Sequence, residues 1–128
     1  MADFDDVRRI ALSLPETAED NFTFNVVGKS FVWPWRERVA PKKKRVRRLD
    51  VVALRTDGVE EKDELIASDP AKFFTEDHYN GYAAVLLRLD QVDADELREL
   101  LTDAWRVQAP KKLRKAHNAA VAQPDPPA

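Results

Sequence analysis

The chain has 128 residues, with Lys+Arg 21 against Asp+Glu 23, eight Pro, three Gly and no Cys. That length suits one domain around a single core, and the lack of Cys excludes disulfide scaffolds, thiol catalysis and Cys-based zinc sites. The two His, at 78 and 117, are too far apart in sequence to make a His cluster alone, no run approaches the ~20 apolar residues of a membrane span, and MADFDDVRR lacks the apolar stretch of a secretory signal; the expectation is a cytoplasmic protein without a membrane partner or cofactor.

In Asp3 to Leu14, Phe4, Val7, Ile10, Ala11 and Leu14 recur at spacings of three and four, behind three Asp placed where a helix dipole favours negative charge. This predicts an amphipathic helix stopped by Pro15, followed by a polar connection from Glu16 to Asn21. Phe22, Phe24 and Val26 then alternate with polar residues, Gly28-Lys29 reads as a turn, and Phe31, Trp33 and Trp35 alternate with Ser30, Val32 and Pro34. The two runs predict a hairpin. Pro34 cannot donate a ladder hydrogen bond, so the second strand is expected at an edge or bulged there.

Leu49 to Arg55, apolar on both faces, predicts an interior strand closed by Thr56-Asp57-Gly58. Asp57 and Glu60 have capping-box spacing before a short helix that places Val59, Lys62, Leu65 and Ile66 on one side. Pro70 suits the start of another helical turn, Ala71 to Phe74. Tyr82 to Leu89 predicts a fourth strand after Asn80-Gly81. Asp93 as N-cap, Glu96 completing a capping box, and Val92 with Leu97 as a hydrophobic staple open a longer helix whose stripe is Leu97, Leu100, Leu101, Ala104 and Trp105. It ends near Ala109-Pro110, with one more basic turn over Lys111 to Lys115. The domain is expected over residues 1–116, and 117–128 as a disordered Pro-rich tail. This order of elements predicts an α+β fold in two layers, with helices packed on one face of a mainly antiparallel sheet.

The small net charge conceals a polarised chain. Arg36 to Arg48 reads RERVAPKKKRVRR, a local charge of +7, and Arg106 to Lys115 adds five basic residues and no acid, leaving −14 on the other 105 residues. Arg36, Arg38, Lys42, Lys43, Lys44, Arg45, Arg47 and Arg48 lie between two predicted strands, as a hairpin arm that could follow a phosphate backbone with help from Lys111, Lys112, Arg114 and Lys115. No recognition helix accompanies it, so phosphate contact is favoured over base readout. The same arm would equally serve as a solvated guard of an edge strand, or as a docking element for an acidic protein partner or a second copy in weak self-association.

Glu76-Asp77-His78 is the one stretch where a carboxylate neighbours a His, yet it lacks a visible nucleophile or metal partner. The simpler reading is a turn entering the fourth strand, with Gly81 relaxing the backbone and the tyrosines at the sheet margin. No catalytic residue is assigned, and the chain is not expected to be an enzyme. Among the aromatics, Phe24, Phe31 and Trp105 are expected in the core; Trp35, beside the arm, is the candidate for base stacking. His117 is expected to be exposed.

Ala67-Ser68-Asp69-Pro70-Ala71-Lys72-Phe73-Phe74, His78-Tyr79-Asn80-Gly81-Tyr82-Ala83-Ala84-Val85-Leu86, the capped helix through Trp105 and Ala109-Pro110-Lys111-Lys112-Leu113 together resemble the MmcQ/YjbR family. Leu14-Pro15-Glu16 and Gly28-Lys29-Ser30-Phe31 resemble its N-terminal half, so the likeness spans about residues 3 to 115. The resemblance implies a CyaY-like α+β domain, classed as DNA-binding through hairpin wings, of which Arg36 to Arg48 would be one. It brings no catalytic residues. Where many members carry Asn-Lys-x-His-Trp, this chain reads Asn80-Gly81-Tyr82-Ala83-Ala84, without that Lys or Trp.

Overall fold

A computed structural model describes residues 1–37, 44 and 46–122. Helix α1 spans Phe4–Ser13, and strands β1 to β4 span Thr17–Asp20, Thr23–Val26, Lys29–Glu37 and Val46–Arg55. Helix α2 is Val59–Ser68, β5 is Phe73–Phe74, β6 is Ala84–Arg88, and α3 and α4 are Ala94–Gln108 and Lys111–Ala122. The strands form one antiparallel sheet in the order β1-β2-β3-β4-β6-β5. The fold is α+β.

Helix α1 starts on a reciprocal cap: Asp6 N–H donates to Asp3 Oδ1 at 2.9 Å and Asp3 N–H donates to Asp6 Oδ2 at 3.1 Å. Its apolar stripe, Phe4, Val7, Ile10 and Ala11, is buried. Helix α3 packs beside α1 and across β3 and β4, burying Leu97, Leu101, Ala104 and Trp105. Trp105 is fully buried, and its indole N–H donates to Pro15 O at 2.9 Å, tying the end of α3 to the chain leaving α1. The main core lies between these helices and one face of the sheet, with Phe24, Val26, Phe31, Val32, Val52, Leu54, Val85 and Leu87 pointing into it.

Several expectations are corrected. Glu16 to Asn21 is not all connection: β1 is a strand without apolar alternation, because as an edge strand it exposes most of its side chains. The tight turns are Asn21-Phe22 and Val27-Gly28 rather than Gly28-Lys29, and all four residues have positive φ, as two-residue hairpin loops of the primed type require. Val27, β-branched at φ 47°, is the strained member. No Asp57–Glu60 capping box forms; Gly58 is the N-cap of α2, and Glu61 accepts from Asp57 N–H at 3.0 Å instead. Ala71 to Phe74 is not helical, since Phe73 and Phe74 pair with Leu87 and Leu86 as β5. At α3, Asp93 caps Glu96 N–H at 2.8 Å, but the Glu96 carboxylate goes to Lys72 rather than back to the cap. Residues 117–122 continue α4 as helix, and 123–128, the rest of the expected tail, lie outside the described residues.

Of the two alternatives for Pro34, an edge strand or a bulge, the strand is interior in the sheet and irregular at the proline. Strand β3 lies between β2 and β4, but β2 pairs no further along it than Val32, so one side of β3 is open from Pro34 onward. The β3–β4 register also shifts there, from Pro34↔Val52 to Trp35↔Arg48.

A second irregularity decides where the tryptophans go. Phe24 pairs with Val32 and Asn25 with Ser30, leaving Phe31 as an extra residue in β3. Such a bulge interrupts the two-residue alternation of side chains. Phe31 and Val32 both enter the helix-covered core, while Trp33 and Trp35 pack on the opposite face, against Val51, Ala53, Tyr79, Ala84 and Leu86. The expected single face for Phe31, Trp33 and Trp35 is therefore split.

Candidate nucleic-acid interface and the helix-free face

Beyond Pro34, β3 pairs only with β4, and β6 begins its pairing with β4 at Val51. Residues Trp35 to Glu37 and Val46 to Arg48 thus form a two-stranded ribbon that extends past the ladders on both sides, with the basic arm at its tip. Arg36 and Arg47 are directly paired across it, and Lys44 is exposed. Arg38, Lys42, Lys43 and Arg45 lie outside the described residues. Arg47 rests on the β1–β2 turn, its guanidinium 4.4 Å from the Phe22 ring and donating to Asn21 Oδ1 at 3.3 Å.

Arg48 is differently placed. It donates to both carboxylate oxygens of Asp50, at 2.9 and 2.7 Å, and to Glu37. Hydrogen bonds first to Asp50 and then to Glu37 raise its already high pKa, and the same contact lowers that of Asp50. Two carboxylates already occupy the donors that would meet a phosphate. Trp35 sits 5.7 Å beneath the Arg48 guanidinium and edge-on to Phe74 at 5.4 Å; it is half-buried, and its buried indole N–H has no acceptor.

The second basic segment is elsewhere. Gln108, at the end of α3, donates to Ser30 O at 2.9 Å, beside the start of β3. Helix α4 folds back on this end: the His117 ring lies 4.9 Å from Trp105, and Arg106 donates to Asn118 at 3.1 Å. Lys111, Lys112, Arg114 and Lys115 are exposed there, whereas the arm leaves the far end of β3, about 23 Å away at the ordinary rise of a strand. The basic segments occupy opposite ends of the sheet. His117 is half-buried against Trp105 instead of exposed, and its Nδ1 is buried without a partner.

The helix-free face carries a feature that sequence reading missed: rings topped by arginines. Besides Arg48 over Trp35, Arg88 lies 4.0 Å from Phe74, and Arg55 lies 5.4 Å from Trp33 and 4.8 Å from Tyr82. A period-two alternation of aromatics with arginines on the neighbouring strand could have signalled it, but only with the register known.

The segment from Asp77 to Tyr82 folds over one end of this face. Tyr79 is buried, and its hydroxyl accepts from the Trp33 indole at 3.3 Å. Lys62, only 2% exposed, reaches from α2 beneath this segment and donates to Tyr79 O and, at 3.0 Å, to Tyr82 O. Burial pushes its ammonium pKa below the usual lysine value. A cleft of about 710 Å³ results, lined by Thr23, Ser30, Trp33, Arg55 and residues 78–82. His78 stands at its mouth, edge-on to Tyr79 at 5.4 Å. Among the described residues no cluster of three or more His, Cys, Asp or Glu could hold a metal ion, and no helix is long and apolar enough to cross a membrane.

An antiparallel α+β sheet with helices on one face and a basic ribbon at one end defines the class of protein. The YjbR family model matches residues 12–107, and the chain belongs to the YjbR family. An uncharacterized protein of Mycobacterium tuberculosis is 38% identical over 123 residues, covering 91% of this chain and 95% of that protein, and one of Mycobacterium bovis matches equally. The fold is also similar to the crystal structure of a Deinococcus radiodurans protein with a DUF419 domain, with a TM-score of 0.61 and 24% identity over 98% of this chain and 91% of that one.

Proposed function

We propose that the protein binds DNA by its phosphate backbone, largely without regard to base sequence, through the basic arm between β3 and β4. The observation that carries this reading is the ribbon. It projects past both neighbouring ladders, and the sequence from Arg36 to Arg48, whose ends form it, has eight basic residues and one acid. Arg36 and Arg47 flank its base, and Lys44 belongs to the connection. Arg48, already paired with carboxylates, shapes the ribbon and adds little to phosphate contact. Trp35, clamped by Phe74 and Arg48, supports the ribbon and offers little open ring for stacking. The role is binding without catalysis, in the cytoplasm.

Phosphate neutralisation releases counterions, so affinity must fall steeply with salt. Fluorescence anisotropy with duplex DNA should show binding at about 50 mM salt that weakens strongly by about 200 mM. Affinity indifferent to salt, or none at the lower concentration, sinks the proposal. Replacing Lys42, Lys43, Lys44 and Arg45 with Glu should abolish binding. Replacing Lys111, Lys112 and Lys115 with Gln, at the opposite end, should leave most of it.

One observation favours a second reading. The acidic start of α2, with Asp57, Glu60 and Asp63 exposed, follows β4 at the end of the sheet opposite the arm. The basic arm of one copy could meet this acidic segment of another head to tail, or meet an acidic protein partner. Light scattering that finds a salt-sensitive oligomer without DNA would favour it.

A further inference from the structure

We propose that the cleft over the helix-free face binds a nucleoside monophosphate, its phosphate on Arg55 and its base against the rings at the cleft mouth. This site is separate from the arm and does not depend on duplex binding. Its volume, about 710 Å³, lies within the range of small-ligand sites.

The charge pattern identifies the ligand as an anion. Arg55 is half-buried between the Trp33 and Tyr82 rings, and among the described residues it donates to the Tyr82 hydroxyl, at 2.8 Å. Its Nε–H is buried without an acceptor, and no carboxylate lines the cleft. Other ring-stacked arginines are satisfied: Arg8 pairs with Glu19, Arg48 with Asp50 and Glu37, and Arg88 donates to Ala71 O. A half-buried guanidinium without a carboxylate partner favours an anionic ligand. A phosphate on its terminal guanidinium nitrogens would supply the missing counter-charge.

Ring chemistry supplies the other half of the recognition. Trp33 lines the cleft beneath Arg55, Tyr82 is 42% exposed, and the exposed imidazole of His78 lines it too. Flat surfaces of this kind stack any nucleobase without reading its edge. The cleft is held open by defined contacts, because Lys62 fixes the carbonyls of Tyr79 and Tyr82 from below and Tyr79 is bonded to Trp33. Gly81, at φ +75°, makes the turn that brings Tyr82 over Arg55.

The full chain should be titrated with AMP, adenosine and inorganic phosphate, following tryptophan fluorescence and calorimetry. AMP is expected to bind saturably and at least about tenfold more tightly than either fragment. Arg55→Gln should weaken AMP about tenfold or more while leaving the weak adenosine signal unchanged. No saturable AMP binding, or equal AMP binding by a folded Arg55→Gln variant, overturns the proposal. Should that variant not fold, the wild-type indole N–H resonances decide: AMP must shift Trp33 and spare Trp105, and the reverse is fatal. A 5′-phosphorylated tetrathymidylate separates the sources. Competition with AMP assigns the end of a strand, and failure to compete assigns a free nucleotide. The arm variant with four Glu must keep AMP binding while losing duplex binding, and loss of both contradicts a separate site.

Discussion

The two faces of this sheet are built on different chemistry. The helix-covered face buries Val7, Ile10, Phe24, Phe31, Leu97, Leu101 and Trp105 completely, in a layer made almost wholly of carbon. The helix-free face has a small apolar floor, Val51, Ala53, Ala84 and Leu86, and above it rings and guanidinium groups in contact. Stability rests mainly on the first face, where apolar area leaves water. The second leaves polar donors such as Arg55 Nε and the Trp35 indole without partners, a cost expected where a surface serves recognition.

The largest effect is expected on the helix-covered face. Trp105→Ala removes a fully buried ring and its bond to Pro15, and should destabilise by about 3–5 kcal/mol in denaturant unfolding. A loss below about 1 kcal/mol would mean that α3 is not the main cover of the core.

Lys62→Met comes next. It strips the donor from Tyr79 O and Tyr82 O and should cost about 1–3 kcal/mol. AMP binding should weaken with it, because the cleft wall loses its support. A pH signature accompanies this lysine. Its native pKa lies below the usual 10.5, so the unfolded chain binds the proton more tightly. The penalty for burying the ammonium is full below the native pKa and fades as pH rises toward 10.5. Wild-type protein should therefore gain stability over that window relative to Lys62→Met, and a parallel pH profile for the two would remove Lys62 from the account.

The smallest stability effect belongs to the arm. Reversing Lys42, Lys43, Lys44 and Arg45 should change unfolding free energy by no more than about 0.5 kcal/mol, as for surface substitutions generally. Duplex binding should nevertheless vanish.

Much of the helix-covered face was legible along the chain. The spacing of Phe4, Val7 and Ile10, and of Leu97, Leu101 and Trp105, is dictated by the helical repeat, and burial follows it. The apolar runs in Leu49 to Arg55 and Tyr82 to Leu89 likewise mark the interior strands β4 and β6. Strand β1 was not legible, because Thr17–Asp20 exposes most of its side chains and is held by backbone pairing to β2. Strand β5 was hidden by Pro70, which suits a helix start as well as the turn actually formed. The arm was visible as charge, but its separation from the basic end of α4 was not, since that depends on Gln108 meeting Ser30 from 78 residues away.

The sequence alone determined the α+β class, the amphipathic helices and the concentration of positive charge in two short segments, because local periodicity and composition are properties of neighbours in the chain. Only the tertiary structure decided which face Trp33 and Trp35 occupy, that Arg48 is spent on carboxylates while Arg55 is not, and that the basic segments lie at opposite ends. The last depends on a contact between residues 78 positions apart, and the first two on strand register, which the extra residue at Phe31 and the shift after Pro34 both reset.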